Sequence, residues 1–270
     1  MRARSIVTLL ALAPLAVLLG VATLPLAAHA QWWENVPAKI PLNAKGEPDL
    51  TAPAPRTNDG HPDLSGIWNP HSNKYLRNIA ADMKPEDVPF LPWAWQLAAE
   101  RADGSHSRED SDANCLPQGV PRLAAAPAPW KFVQTPDLIV VVHEAFSLWR
   151  QIFLDGRKLA PNPNPTWLGY STGHWEGNTL VVDTRGFNGK TWLDQVGKPT
   201  TEKLHVTERY TRKDFGHMDL EITIDDPGAY TRPWKVKQDL TLLTDTELLE
   251  FICNENNRDL AHLPGKPLGE

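Results

Sequence analysis

From residue 130 onward the chain reads as strand after strand: Leu138 to Glu144 is apolar on both faces, and from His205 apolar and polar side chains alternate with a period of two. Trp130 to Thr135, Leu138 to Glu144, Leu148 to Asp155, Trp167 to Trp175, Thr179 to Asp183, His205 to Arg212, Met218 to Asp225, Trp234 to Leu243 and Leu248 to Cys253 each read as a strand, because successive side chains of an extended chain point to opposite faces. Turn residues punctuate them: Asp155-Gly156, Gly177-Asn178, Asp214-Phe215-Gly216, Asp225-Asp226-Pro227-Gly228 and Thr244-Asp245. Asp155-Gly156 and Gly177-Asn178 signal hairpins. Leu64 to Trp68 supplies a first strand, and a short helix is expected from Pro92, with Leu91, Trp95, Leu97 and Ala98 on one face. The pattern predicts an all-β fold with minor α content: about nine or ten antiparallel strands in a barrel or closed meander. Closure is favoured because it hides both sheet edges.

The N-terminal region is different. Arg2 and Arg4 precede an apolar run from Ile6 to Ala27, and Ala28-His29-Ala30 offers a small-x-small cleavage site. Residues 1–30 therefore read as a cleaved signal peptide, placing the mature chain in the periplasm or outside the cell. Residues 31–63, rich in Pro, Asn and Gly, read as an extended arm that adds little to the core. Residues 64–270 form the single β domain. No membrane association is expected of the mature chain, since nothing after residue 30 is a long apolar run.

Charge and composition narrow the partners. The chain carries 27 basic and 33 acidic side chains, a net of −6. Losing Arg2 and Arg4 makes the balance more acidic still, which argues against nucleic acid and anionic lipid as partners. No G-x-G-x-x-G, P-loop or G-x-S-x-G occurs, so no nucleotide cofactor and no α/β-hydrolase elbow is expected. The two cysteines, Cys115 and Cys253, are expected to form one disulfide in an exported chain. Neither has a C-x-x-C partner, and no metal is expected.

Longer segments carry a resemblance. DGHPDLSGIW (59–68), CLPQGVPR (115–122), PTWLGYSTGHWEGNTLVVDTRGF (165–187), HVTERYTR (205–212), TIDDPGAYTRPW (223–234) and LLEFICNEN (248–256) resemble a family of exported bacterial proteins without an assigned activity. Gly66-Ile67-Trp68 on the first strand resembles the Gly-x-Trp start of lipocalin-like (calycin) barrels. These likenesses imply export and a β-rich domain, and supply no catalytic residues.

Candidate chemistry must come from the residues. His174 and Glu176 share one strand face; His205 and Arg209 share a face of a later strand, and Glu208 and Tyr210 share its opposite face. A His–carboxylate pair drawn from His174, Glu176, His205 and Glu208 would suit general acid/base work by a hydrolase, lyase or isomerase. Eleven Trp residues argue for a packed core or an aromatic-walled site. Trp167, Tyr170, Trp175, Arg209, Tyr210 and Trp234 are the candidate lining of a cavity for a small amphipathic molecule: aromatic, lipid-like or glycosidic. Asp225-Asp226-Pro227 reads as turn chemistry, Glu250 as outward-facing or Arg-paired, and His143 as a satisfied core or rim histidine. Three functions stay open: a ligand-binding barrel, an acid/base enzyme, and an envelope structural protein with a filled core. The lining of the largest cavity distinguishes them.

Overall fold

The computed structural model describes residues 40–255 and 257–268; the expected signal peptide and the start of the arm, residues 31–39, lie outside them. Nine strands close a barrel in sequence order: β1 (Gly66–Pro70), β2 (Trp130–Gln134), β3 (Leu138–His143), β4 (Trp149–Phe153), β5 (Tyr170–Glu176), β6 (Thr179–Arg185), β7 (His205–Arg212), β8 (His217–Asp225) and β9 (Trp234–Leu243). Two α-helices, α1 (Lys74–Arg77) and α2 (Pro92–Arg101), sit in the long β1–β2 connection. Among the described residues no helix is long and apolar enough to cross a membrane.

All neighbours pair antiparallel except β4 and β5, which run parallel through Ile152–Ser171 and Phe153–Thr172. The expected all-antiparallel pairing is thereby corrected, and parity gives the reason. A closed ring with an odd number of strands cannot alternate direction all the way round. Asp155-Gly156 is consequently not a hairpin. The chain leaves β4 and runs back along the barrel through residues 154–169 before entering β5, the long crossover that parallel neighbours require. Arg157, instead of starting a return strand, is fastened to the Asp155 carboxylate at 2.6 Å. The Gly177-Asn178 turn does make its hairpin, pairing Glu176 with Thr179.

Leu248 to Cys253 is not a strand. β9 closes on β1 from Ile67–Leu243 to Pro70–Leu240, so no edge remains for a tenth strand. The segment instead lies along the outside with Leu249, Glu250, Phe251 and Ile252 exposed. It is held by Leu249 N donating to Glu144 Oε2 (2.8 Å) and by the disulfide Cys115–Cys253, whose Cα atoms are 5.4 Å apart.

The lumen is filled. Alternation places Trp68, Trp130, Phe132, Ile139, Val141, Ile152, Leu180, Val182, Tyr210, Leu220, Ile222 and Trp234 inside, all buried. β2 and β7 lie on opposite sides of the ring, yet the Phe132 and Tyr210 rings meet edge to face with centroids 5.3 Å apart. A barrel whose opposite walls touch has no room for a ligand between them.

Each end is covered. At the end where β2, β4, β5, β7 and β9 begin, the β1–β2 connection and the β6–β7 and β8–β9 loops pack over the opening. The arm covers the other end, where the β7–β8 turn lies. Gly216 N donates to Leu50 O and Phe215 N to Ala52 O, both at 2.7 Å. Leu64 is fully buried. Within the described part of the arm Pro62 is buried and the remaining residues are exposed or half-buried. In α2, Ala94 is the buried residue and Trp95 is 63% exposed, which corrects the expected apolar face.

Candidate functional site

The sequence-chosen residues fall in three separate places. His174, Glu176 and Arg209 are on the outer surface. His174 Nε2 is 3.3 Å from Glu176 Oε1, and Arg209 donates to Glu176 Oε2 at 2.9 Å. Arg209 first, then His174, lowers the Glu176 pKa from its ordinary value. His205 Nε2 meets Asp183 Oδ1 at 2.8 Å, also on the outward face. Tyr170 is exposed and points outward. Trp175 points inward, half-buried against the core, and Trp234 is buried inside the barrel beside Tyr230. Trp167 lines a cleft outside the barrel. These residues do not converge on one cavity.

Glu208 and Tyr210 do point inward as a pair, but the partner is an arginine and not a histidine. Arg150, on β4, reaches along the inner wall past β5 and β6 to β7. Its Nε donates to Ser171 Oγ (3.0 Å), Nη2 to Thr184 Oγ1 (2.9 Å), and both terminal nitrogens to the Glu208 carboxylate. Tyr210 OH donates to Glu208 Oε1 at 2.7 Å. Ser171 and Thr184 stand opposite one another across β5–β6, with hydroxyls 3.0 Å apart. Burial and then the Glu208 charge raise the Tyr210 pKa well above its ordinary value, so the phenol remains a donor. Every charged atom of this cluster has partners, the condition for ions inside a protein.

His143 lies beside the cluster. Burial, and secondarily the positive charge of Arg150, push its pKa down to about 3. Its Nε2 and the indole Nε1 of Trp130 have no partner among the described residues. Both side chains line a void of about 10 Å³, the room one water needs, with a donor and an acceptor facing it. Residues 120–124 close the void from outside. Arg122 fixes that segment through Asp110 at 2.7 and 2.8 Å and Asp112 at 3.3 Å. The cluster can hold a neutral imidazole against a fixed guanidinium. The space beside it does not admit an organic molecule.

Asp226 follows the turn reading. Its carboxylate accepts from Thr201 N (2.6 Å) and Gly228 N (3.0 Å), tying the β8–β9 turn to the β6–β7 loop.

Sequence reasoning missed two larger spaces, a shallow groove of about 880 Å³ along Pro85 to Gln96 and a deeper cleft. Outside the barrel, between α2, the β6–β7 loop and the C-terminal segment, lies a cleft of about 570 Å³ walled by Trp93, Leu97, Trp167 and Trp192, with Arg101 and Lys190 among its polar groups. Trp93, Leu97 and Arg101 recur at i, i+4 and i+8, so one helix face presents all three. That spacing was the signal available in the sequence. Arg101 lies over the Trp192 ring at 4.3 Å and donates Nη1 to Gly197 O at 3.3 Å. Gly197, at φ +88°, allows this approach, since a Cβ there would stand 2.4 Å from Arg101 Cβ. Arg101 and Trp192 also border a second cleft of about 420 Å³ that contains Asp103, Asp110 and Asp112.

No protein-family model, curated protein or solved structure matches this chain.

Proposed function

We propose that this protein is an exported binding module for a small amphipathic molecule, and that the molecule seats in the tryptophan-walled cleft outside the barrel. The carrying observation is the contrast between two spaces. The lumen is closed by Phe132 against Tyr210, whereas the cleft of about 570 Å³ has the size of a small-molecule pocket, with tryptophan walls and Arg101, Glu109, Lys190, Thr191 and Thr200 as its polar groups. Export is supported by the N-terminal pattern of basic, apolar and small residues and by the disulfide, which suits an oxidising compartment.

A second reading, an envelope structural protein, is favoured by the filled lumen itself. The acid/base alternative has less support. His174, Glu176 and His205 face outward while Glu208 faces inward, locked to Arg150.

Fluorescence titration of the purified protein with N-phenyl-1-naphthylamine separates the readings. The cleft reading expects saturable binding, weakened about fivefold or more by Trp93→Ala, since truncating an aromatic anchor costs about 1 kcal/mol or more. Absence of saturable binding, or equal binding by the variant, overturns it and leaves the structural reading.

A further inference from the structure

Resting on that binding reading, we propose that the ligand is an organic acid: its apolar body lies against Trp93, Trp167 and Trp192, and its anionic group sits on Arg101, with Lys190 at the rim.

Arg101 has no carboxylate in direct contact, although Glu109, Asp110 and Glu100 favour its charge from further away. Among the described residues no carboxylate lies within ion-pair distance of it, and its buried Nε has no hydrogen-bond partner. The nearby acids are engaged elsewhere. Glu109 accepts from His106 at 2.7 Å, and Asp110 holds Arg122 at 2.7 Å. The guanidinium is nevertheless held in place, stacked on Trp192 and anchored to Gly197 O. A half-buried, immobilised guanidinium loses hydration while its carboxylate neighbours stay out of contact, and a ligand anion supplies the direct charge-assisted hydrogen bonds they do not. Stacking on an indole leaves the planar fork oriented for a carboxylate or sulfonate.

Charge also decides on which side of Arg101 the ligand sits. The smaller cleft sets Asp103, Asp110 and Asp112 against Arg77 and Arg101, an excess of acid that Arg122 offsets in part by pairing with Asp110 and Asp112. The larger cleft presents Lys190, exposed and without an ion pair among the described residues, and its one acid, Glu109, is hydrogen-bonded to His106 at 2.7 Å, so Arg101 and Lys190 outnumber it. In a chain with a net charge of −6, an anion is drawn only to such a local pair of cations.

Two probes sharing one apolar framework test this. 8-Anilinonaphthalene-1-sulfonate carries the anion that N-phenyl-1-naphthylamine lacks. The purified protein is expected to bind the sulfonate about tenfold more tightly, one charge-assisted contact's worth. Arg101→Gln should erase that preference, weakening the sulfonate about tenfold more than it weakens the neutral probe. Equal affinity for both probes in the unaltered protein overturns the anion and leaves the cleft reading standing; saturable binding of neither overturns both. Should Arg101→Gln fail to fold, Lys190→Ala decides, because Lys190 is exposed. A loss of about two- to fivefold for the sulfonate alone supports the proposal, and no change for either probe overturns it.

Discussion

His61 of the N-terminal arm lies flat on Trp175 of β5, ring centroids 4.8 Å apart and planes within 8° of parallel. Trp175 is an inward position near the open end of the barrel, so the arm's histidine finishes a core that the strands leave uncovered. The backbone bonds of Leu50 and Ala52 to the β7–β8 turn, and of Asp63 O to Arg212, fasten the same stretch.

Removing the arm up to residue 63 is therefore expected to lower the melting temperature by roughly 5–15 °C, the equivalent of a few kcal/mol in a domain of this size. His61→Ala alone should cost about 1 kcal/mol, the worth of one aromatic pair. Differential scanning calorimetry checks both. A truncated protein that melts with the intact one would mean that the barrel end is self-sufficient.

The buried and exposed members of the sequence-chosen acid/base set should separate by stability. Glu208→Gln removes the counter-charge of a fully enclosed arginine and is expected to cost about 3–5 kcal/mol. His174→Ala, on the solvent side of the same wall, should change stability by less than about 0.5 kcal/mol. Replacing both partners, Arg150→Met with Glu208→Leu, should recover much of the Glu208→Gln loss, because no unpaired charge then remains. Urea unfolding of the three proteins gives the comparison, and a double variant no better than Glu208→Gln would contradict it.

How far the sequence foretold this molecule follows from what alternation contains. In β7, HVTERYTR fixes that Val206, Glu208, Tyr210 and Arg212 share a face, and the structure buries those four. Alternation does not say what that face meets. Glu208 finds Arg150, 58 residues away, only because the ring sets β4 near β7, with β5 and β6 between them. Nor does it say whether a strand finds an edge. Leu248 to Cys253 has the composition of a strand, but β1 had already taken the partner. The cysteine pair was legible because two cysteines leave one pairing. The outer cleft was not, since it is assembled from a helix, a loop and the C-terminal segment, and only the Trp93–Leu97–Arg101 spacing hinted at it. Trp95, expected to be buried, is exposed because the α2 face that packs inward is centred on Ala94.

His143 sets a pH dependence whose sign can be worked out. Its folded pKa is pushed down to about 3 from an ordinary 6.5, chiefly by burial and then by Arg150. Between those two values the unfolded chain binds a proton that the folded chain does not, so stability falls as pH falls. The stabilisation is fully present above about pH 6.5 and is lost progressively toward pH 3, with a limiting slope of about 1.4 kcal/mol per pH unit. His143→Phe deletes the titrating group while filling most of its volume. Its stability between pH 6 and pH 4 should fall less steeply than that of the unaltered protein, by up to that slope. The variant should remain within about 2 kcal/mol at pH 7, where His143 is neutral in both states and the loss is confined to packing and the water site. Chemical denaturation at half-unit pH steps measures the difference. Parallel curves for the two proteins would show that the imidazole is protonated in the folded state, with a counter-ion or open water beside it in place of the closed void.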